Sequence, residues 1–170
     1  MARNSDLADF ADSASAGAIL QVSQTVLTLN SVASNNQAYN DITGYNCSIT
    51  PSSTSNKILV QINGNFGGYT NDVIALLLLR GSTAIFQGDA DGNRTRASAS
   101  TRFLSEYDTV PISFSYLDSP GVEDTSVTYK LQYQTVVSAN YVYLNKSSNS
   151  GDSADRVRTA STITLMEIAG

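Results

Sequence analysis

Three pairs of acidic residues are the nearest thing to catalytic equipment in this sequence: Asp89 with Asp91, Glu123 with Asp124, and Asp152 with Asp155. Two carboxyl groups flanking a cleft can hydrolyse a glycosidic bond, one as acid and the other as nucleophile or base. Each pair here sits among Gly, Ser or Asn, the composition of a solvated loop. A carboxyl group there keeps its ordinary pKa and makes a poor acid. The chain has no His, which removes Ser-His-Asp and Cys-His machinery and the commonest base near neutral pH. It has no Trp either, the broadest aromatic platform for a sugar. The expectation is a protein without enzymatic activity.

Ion and charge sites are equally thin. The run Gly88-Asp-Ala-Asp-Gly-Asn93 invites a calcium loop. Counted from Asp89, however, Gly92 falls at position four rather than six, and no Glu follows at the required distance. A turn through Asp91-Gly92-Asn93 fits the run better. The single cysteine, Cys47, rules out a disulfide or a Cys/His zinc site within one chain. It alternates with Tyr45 and Ile49 and reads as a small core residue. No metal or cofactor is expected. Five of the ten basic residues fall in two segments, Arg94, Arg96 and Arg102 in one and Arg156 and Arg158 in the other. The first is a candidate surface-binding loop for an anionic glycan, weighed against ordinary solvated loops whose ion pairs are weak. A net charge of −5 argues against nucleic acid, which is bound by displacing counterions with cations.

The elements that must position these residues are strands. Val127, Tyr129, Leu131 and Tyr133 alternate with Thr128, Lys130, Gln132 and Gln134, the period of a half-buried strand. Pro120 and Gly121 make a turn before it. Apolar alternation recurs at Leu20, Val22 and Val26 and at Ile58, Val60 and Ile62. Val73 to Leu79 is a near-continuous apolar run, expected to be a central strand covered on both faces. The segment 83–88 reads as its hairpin partner, 89–101 as a polar loop, and 147–158 as a long loop. Further strands are expected around 110–117, 140–146 and 161–169. About 170 residues bury roughly 70% of the extended-chain surface, enough for a core without staples. Eight or nine strands in one unit predict an all-β fold, a two-sheet jelly-roll-like β-sandwich over residues 18–170.

Residues 1–17 differ. They are rich in Ala, Ser and Asp, and Leu7 and Phe10 are the only large apolar side chains among them. A segment this short cannot hold its own structure in water. It reads as an arm that docks on a neighbouring protein, with Leu7 and Phe10 as anchors and Asp6 and Asp9 suited to a basic surface beside them. No apolar run in it is long enough for a signal peptide or a membrane span. The expectation is therefore synthesis in a cytoplasm and no membrane partner.

Four segments in this order carry a resemblance: Ile49–Val60 (ITPSSTSNKILV), Leu76–Thr83 (LLLLRGST), Tyr116–Tyr133 (YLDSPGVEDTSVTYKLQY) and Ser161–Gly170 (STITLMEIAG). Together they resemble a jelly-roll module of tailed-phage virion proteins, especially those of phages of marine bacteria and cyanobacteria. There it stands at the end of tail fibres or serves as a small head-decoration protein. Its shape is similar to that of the tumour-necrosis-factor and C1q-like family. The resemblance implies a homotrimer on the virion that decorates or cements the capsid. Its partner would be the major capsid protein or another virion protein, reached through the arm. The alternative is a short tail-fibre tip that recognises a host surface glycan. No catalytic residue is implied. The strands at Val127–Val137, Asn140–Leu144 and Ile163–Ile168 are the expected sources of the trimer contact.

Overall fold

A computed structural model of the chain describes residues 15–29, 31–33, 37–137 and 140–170. The arm residues Asp6, Leu7, Asp9 and Phe10 lie outside the described residues. The strands are β1 (Ile19–Leu27), β2 (Ser31–Ala33), β3 (Asn40–Ile49), β4 (Lys57–Gly67), β5 (Val73–Arg80), β6 (Thr83–Phe86), β7 (Ala99–Arg102), β8 (Val110–Asp118), β9 (Val127–Thr135), β10 (Val142–Leu144) and β11 (Ser161–Ile168). No helix occurs among the described residues.

Two antiparallel sheets pack face to face. In the first, β4 is central, with β8 along one flank and β11 along the other, and β1 forms the edge beyond β11. Where β11 stops, β10 takes its place beside Phe66 and Gly67, with β2 outside it. The second sheet runs β3-β9-β5, and β6 and β7 pair in succession with the far flank of β5. The chain changes sheet at six of the ten connections between these strands; β1–β2, β5–β6, β6–β7 and β10–β11 stay within one sheet. This winding gives a jelly-roll-like sandwich and confirms the expected fold class.

The alternation read from sequence holds in most strands. Tyr45, Cys47 and Ile49 of β3, and Ile58, Val60 and Ile62 of β4, point into the interior and are buried. Ile74 through Leu79 of β5 are buried without interruption, as a strand covered on both faces requires. Two expectations need correction. The segment 89–101 is not wholly loop, because its last residues enter β7, whose backbone pairs with β5 although its side chains carry no apolar signal. And Tyr129, Leu131 and Tyr133 of β9 are at most 1% exposed. They fill the space between the sheets, so of the expected Val127–Val137 source the exposed apolar residue is Val137 at its end.

The two ends of the sandwich are unlike. At the near end the chain enters β1 and leaves β11, tied by hydrogen bonds from Gly17 N to Ala169 O and from Ala169 N to Ala18 O. At the far end the segments 68–72, 103–109 and 145–160 are laced together. Asn71 N donates to Phe103 O, and Asn149 N donates to Glu106 O. Close approach requires glycine here. A Cβ on Gly67 would sit 2.3 Å from Lys146 O, and one on Gly68 would sit 2.2 Å from the Phe103 ring. Asn145 closes this end with left-handed backbone (φ 62). Its amide donates to Leu27 O and Leu29 O and accepts from the Ser161 hydroxyl, so one buried side chain joins β1, β10 and β11.

Candidate interaction surfaces

The sequence-predicted arginines do not converge. Arg94 pairs with Asp91 at 2.8 Å, both side chains about three-quarters exposed (76% and 72%). Arg96 donates to Gly88 O, and Arg102 donates to Asn71 O at the other end of β7. Arg102 lies six positions beyond Arg96, at most roughly 20 Å along extended chain. Arg94 and Arg96 are bonded within the 88–96 loop and Arg102 to the 68–72 segment, so the segment presents separate charges and not one anion-binding patch.

The acidic pairs are likewise dispersed. Asp91 is taken by Arg94, and Asp155 is held by the Ser153 hydroxyl and Arg156. The Ser153 hydrogen bond, with a smaller contribution from the Arg156 charge, keeps the Asp155 carboxyl below the ordinary range. An acid poised for catalysis needs the opposite shift. No group of three or more acidic, cysteine or histidine side chains is gathered for a metal ion among the described residues.

The carboxylates that are buried are spent on structure. Asp118, at the end of β8, accepts from Arg80 of β5 (2.8 Å) and from the Tyr129 hydroxyl of β9 (2.7 Å), tying one sheet to the other. Burial first, and then the bond to Asp118, push the Tyr129 phenol well above its ordinary value, so it remains a neutral donor. Glu167 of β11 is fully buried. It accepts from Gln21 of β1, from the backbone N–H and hydroxyl of Ser52 (2.7 and 2.8 Å) and from the Asn56 amide (2.6 Å). Burial raises its pKa, but the hydrogen bonds together outweigh it and hold the carboxyl below the ordinary range. With its lone pairs occupied, it has none to offer a substrate.

Among the described residues, one surface that is not self-satisfied is the outer face of the β1-β11-β4-β8 sheet. Its register sets Val22 opposite Met166, Met166 opposite Leu59, and Leu59 opposite Leu117. Directly opposed side chains lie about 5 Å apart, so these four form one apolar row across four strands. Val22 is 59% exposed and Leu117 47%. At the near end Ile19, which is exposed, pairs with Ile168 and widens the row. The next row, Gln24-Thr164-Gln61-Ser115, is polar, with the Gln24 amide donating to the Thr164 hydroxyl.

Strand β1 is inverted to make this row. Gln21 and Ser23 face inward, toward Glu167 and Cys47, while Leu20, Val22 and Val26 face out. The outer face of the other sheet is different in kind. Lys130 and Gln132 both bind Asp41, and Ser48 bonds to Thr128, so its polar groups are matched within the chain. An apolar row on an edge-strand face is the feature a partner surface would cover. Of the expected contact sources, only the outward side chains of β11, Met166 and Ile168, belong to it. No protein-family model matches this chain, and no curated protein matches it.

Proposed function

We propose that this protein is a non-catalytic structural component of a phage virion, a homotrimer that decorates or cements the capsid. The observation that carries the assembly reading is the apolar row Val22-Met166-Leu59-Leu117 on one sheet face, opposed by a self-matched polar face on the other sheet. Fully burying each such side chain contributes about 1.5–3 kcal/mol as an upper figure, and three copies repeat the contact. The resemblance of the four sequence segments supports the virion as the setting. The carboxylates support a part built to persist, since the buried ones are saturated and the exposed ones scattered.

The arm supplies the attachment to the major capsid protein or another virion protein. Its root lies at the near end beside Ala169, which leaves the far-end loops free on the opposite side. Three arms on one trimer add their binding as avidity when all reach their sites together. A variant lacking residues 1–17 should remain a folded trimer and lose attachment to particles in a co-sedimentation assay. The double change Leu7→Ala and Phe10→Ala should weaken attachment nearly as much. Full occupancy by the truncated protein would move attachment to the sandwich and end the arm's role. The second reading, a short tail-fibre tip, is separated by copy number on purified particles: hundreds for decoration, a few tens or fewer for a fibre.

A further inference from the structure

We infer that the far end carries a binding cleft for one unit of a neutral sugar, between the 103–109 segment with the start of β8 on one side and the 145–160 segment on the other. The cleft has a volume of about 390 Å³, within the size range of small-ligand sites. One part of its wall is apolar: Tyr107, Val110, Pro111 and Val157. Tyr107 and Val157 are 47% and 59% exposed, so an aromatic ring and a branched aliphatic chain of the cleft lining both meet solvent. Asp108 and Asp155 also line the cleft. A pyranose has the matching division, with C–H groups on its faces and hydroxyl donors around its rim. Carboxylates accept from such donors, and an aromatic ring packs on the C–H face.

The cleft is preorganised. The Arg156 guanidinium covers one side of the Tyr107 ring, 4.3 Å from its centre, and is itself paired with Asp155. That contact fixes the ring, and the pair with Asp155 cancels both charges, leaving Asp108 as the remaining charge among the lining residues. The two walls are bound to each other by Asn149 N to Glu106 O (2.9 Å), Asn149 Nδ2 to Glu106 Oε1 (3.2 Å) and Ser148 Oγ to Glu106 O (3.1 Å). Little ordering cost is then left for the ligand to meet. Asp155 and Arg156 cancel, so Asp108 leaves the cleft with net negative charge, which disfavours a sialic or uronic acid, and the ligand class is neutral. The inference stands apart from the assembly reading, because a single chain carries the whole cleft.

Saturation-transfer NMR on the full chain tests it, with glucose, galactose, mannose and N-acetylglucosamine as the neutral probes and N-acetylneuraminic and glucuronic acids as the anionic ones. At least one neutral sugar should receive saturation, with a Kd of about 1 mM as expected for a single unit in a small cleft, and the acids should not. Tyr107→Ala and Asp108→Asn should each weaken binding tenfold or more. Asp108→Asn keeps the shape of the cleft and decides the matter if Tyr107→Ala loosens the loop. Absence of saturation for every neutral sugar, equal binding of the acidic ones, or unchanged affinity in Asp108→Asn would overturn the assignment.

Discussion

Replacing Glu167 with alanine should lower the free energy of unfolding by about 3–5 kcal/mol, because several donors lose their acceptor at once and each one left unsatisfied out of water costs about 1–3 kcal/mol. Four donors converge on this carboxylate from β1 and from the β3–β4 connection, and Asn56 among them is itself buried. A hydrogen bond to a charged group contributes about 1.5–3 kcal/mol. Part of the sum is offset because the variant no longer desolvates a charge. Urea unfolding at fixed protein concentration measures the difference, and a loss below about 1 kcal/mol would mean that the donors rebond without the carboxylate.

The same group sets an acid limit. Its folded pKa is depressed, so its contribution is complete above the unfolded value of about 4.3 and is lost as pH falls through the folded one. Glu167→Gln cannot titrate and offers an amide where donors already crowd. The stability difference between wild type and Glu167→Gln should therefore be constant from neutral pH down to about 4–5 and shrink below that. A difference that stays constant down to pH 2, roughly two units below the ordinary carboxyl value, would show that Glu167 is not the titrating group.

The second large effect concerns assembly. Val22→Asp together with Leu117→Asp should convert a three-chain particle into single chains at micromolar concentration. Both side chains are about half exposed in the isolated chain. The substitutions therefore cost the fold little beyond the strand propensity of Asp, which spans about 1 kcal/mol. In an assembly they would place six carboxylates within an apolar contact. Asn46→Asp, on the outer face of the other sheet, is the control that should leave the mass unchanged. If the double variant keeps the wild-type mass while Asn46→Asp dissociates, the contact lies on the β3-β9-β5 sheet instead.

The strands were legible where covalent periodicity alone decides. Six consecutive apolar residues at Ile74–Leu79 could be satisfied only by a strand covered on both faces, and the Tyr129-Leu131-Tyr133 alternation could only place its rings together. Alternation does not say which face is covered. In β1 the apolar set points outward, because Gln21 is drawn inward by a buried acceptor one strand away in space and 146 residues away in sequence. The signal for that acceptor was present in the series Ile163, Leu165, Glu167: the acid shares the parity of two core residues. A carboxylate at such a position must find donors. Its partners in the 52–56 turn, however, carry no pattern that names them.

The arginine segment was misleading for the opposite reason. Arg94, Arg96 and Arg102 are close in sequence, but an extended strand between them carries the last one away, and nothing apolar in Ala99–Arg102 announced that strand. The far-end cleft was invisible for a similar reason. Tyr107 and Asp155 are 48 positions apart, and only the folding of the 145–160 segment onto Glu106 brings them to one place.

The most direct test of the central claim is the mass of the purified full-length chain by light scattering at micromolar concentration and moderate salt. The apolar row on the β1-β11-β4-β8 face predicts three times the 18.1 kDa of one chain, with no loss of mass on raising the salt, because an apolar contact is not screened. A mass of one chain under those conditions would contradict the account.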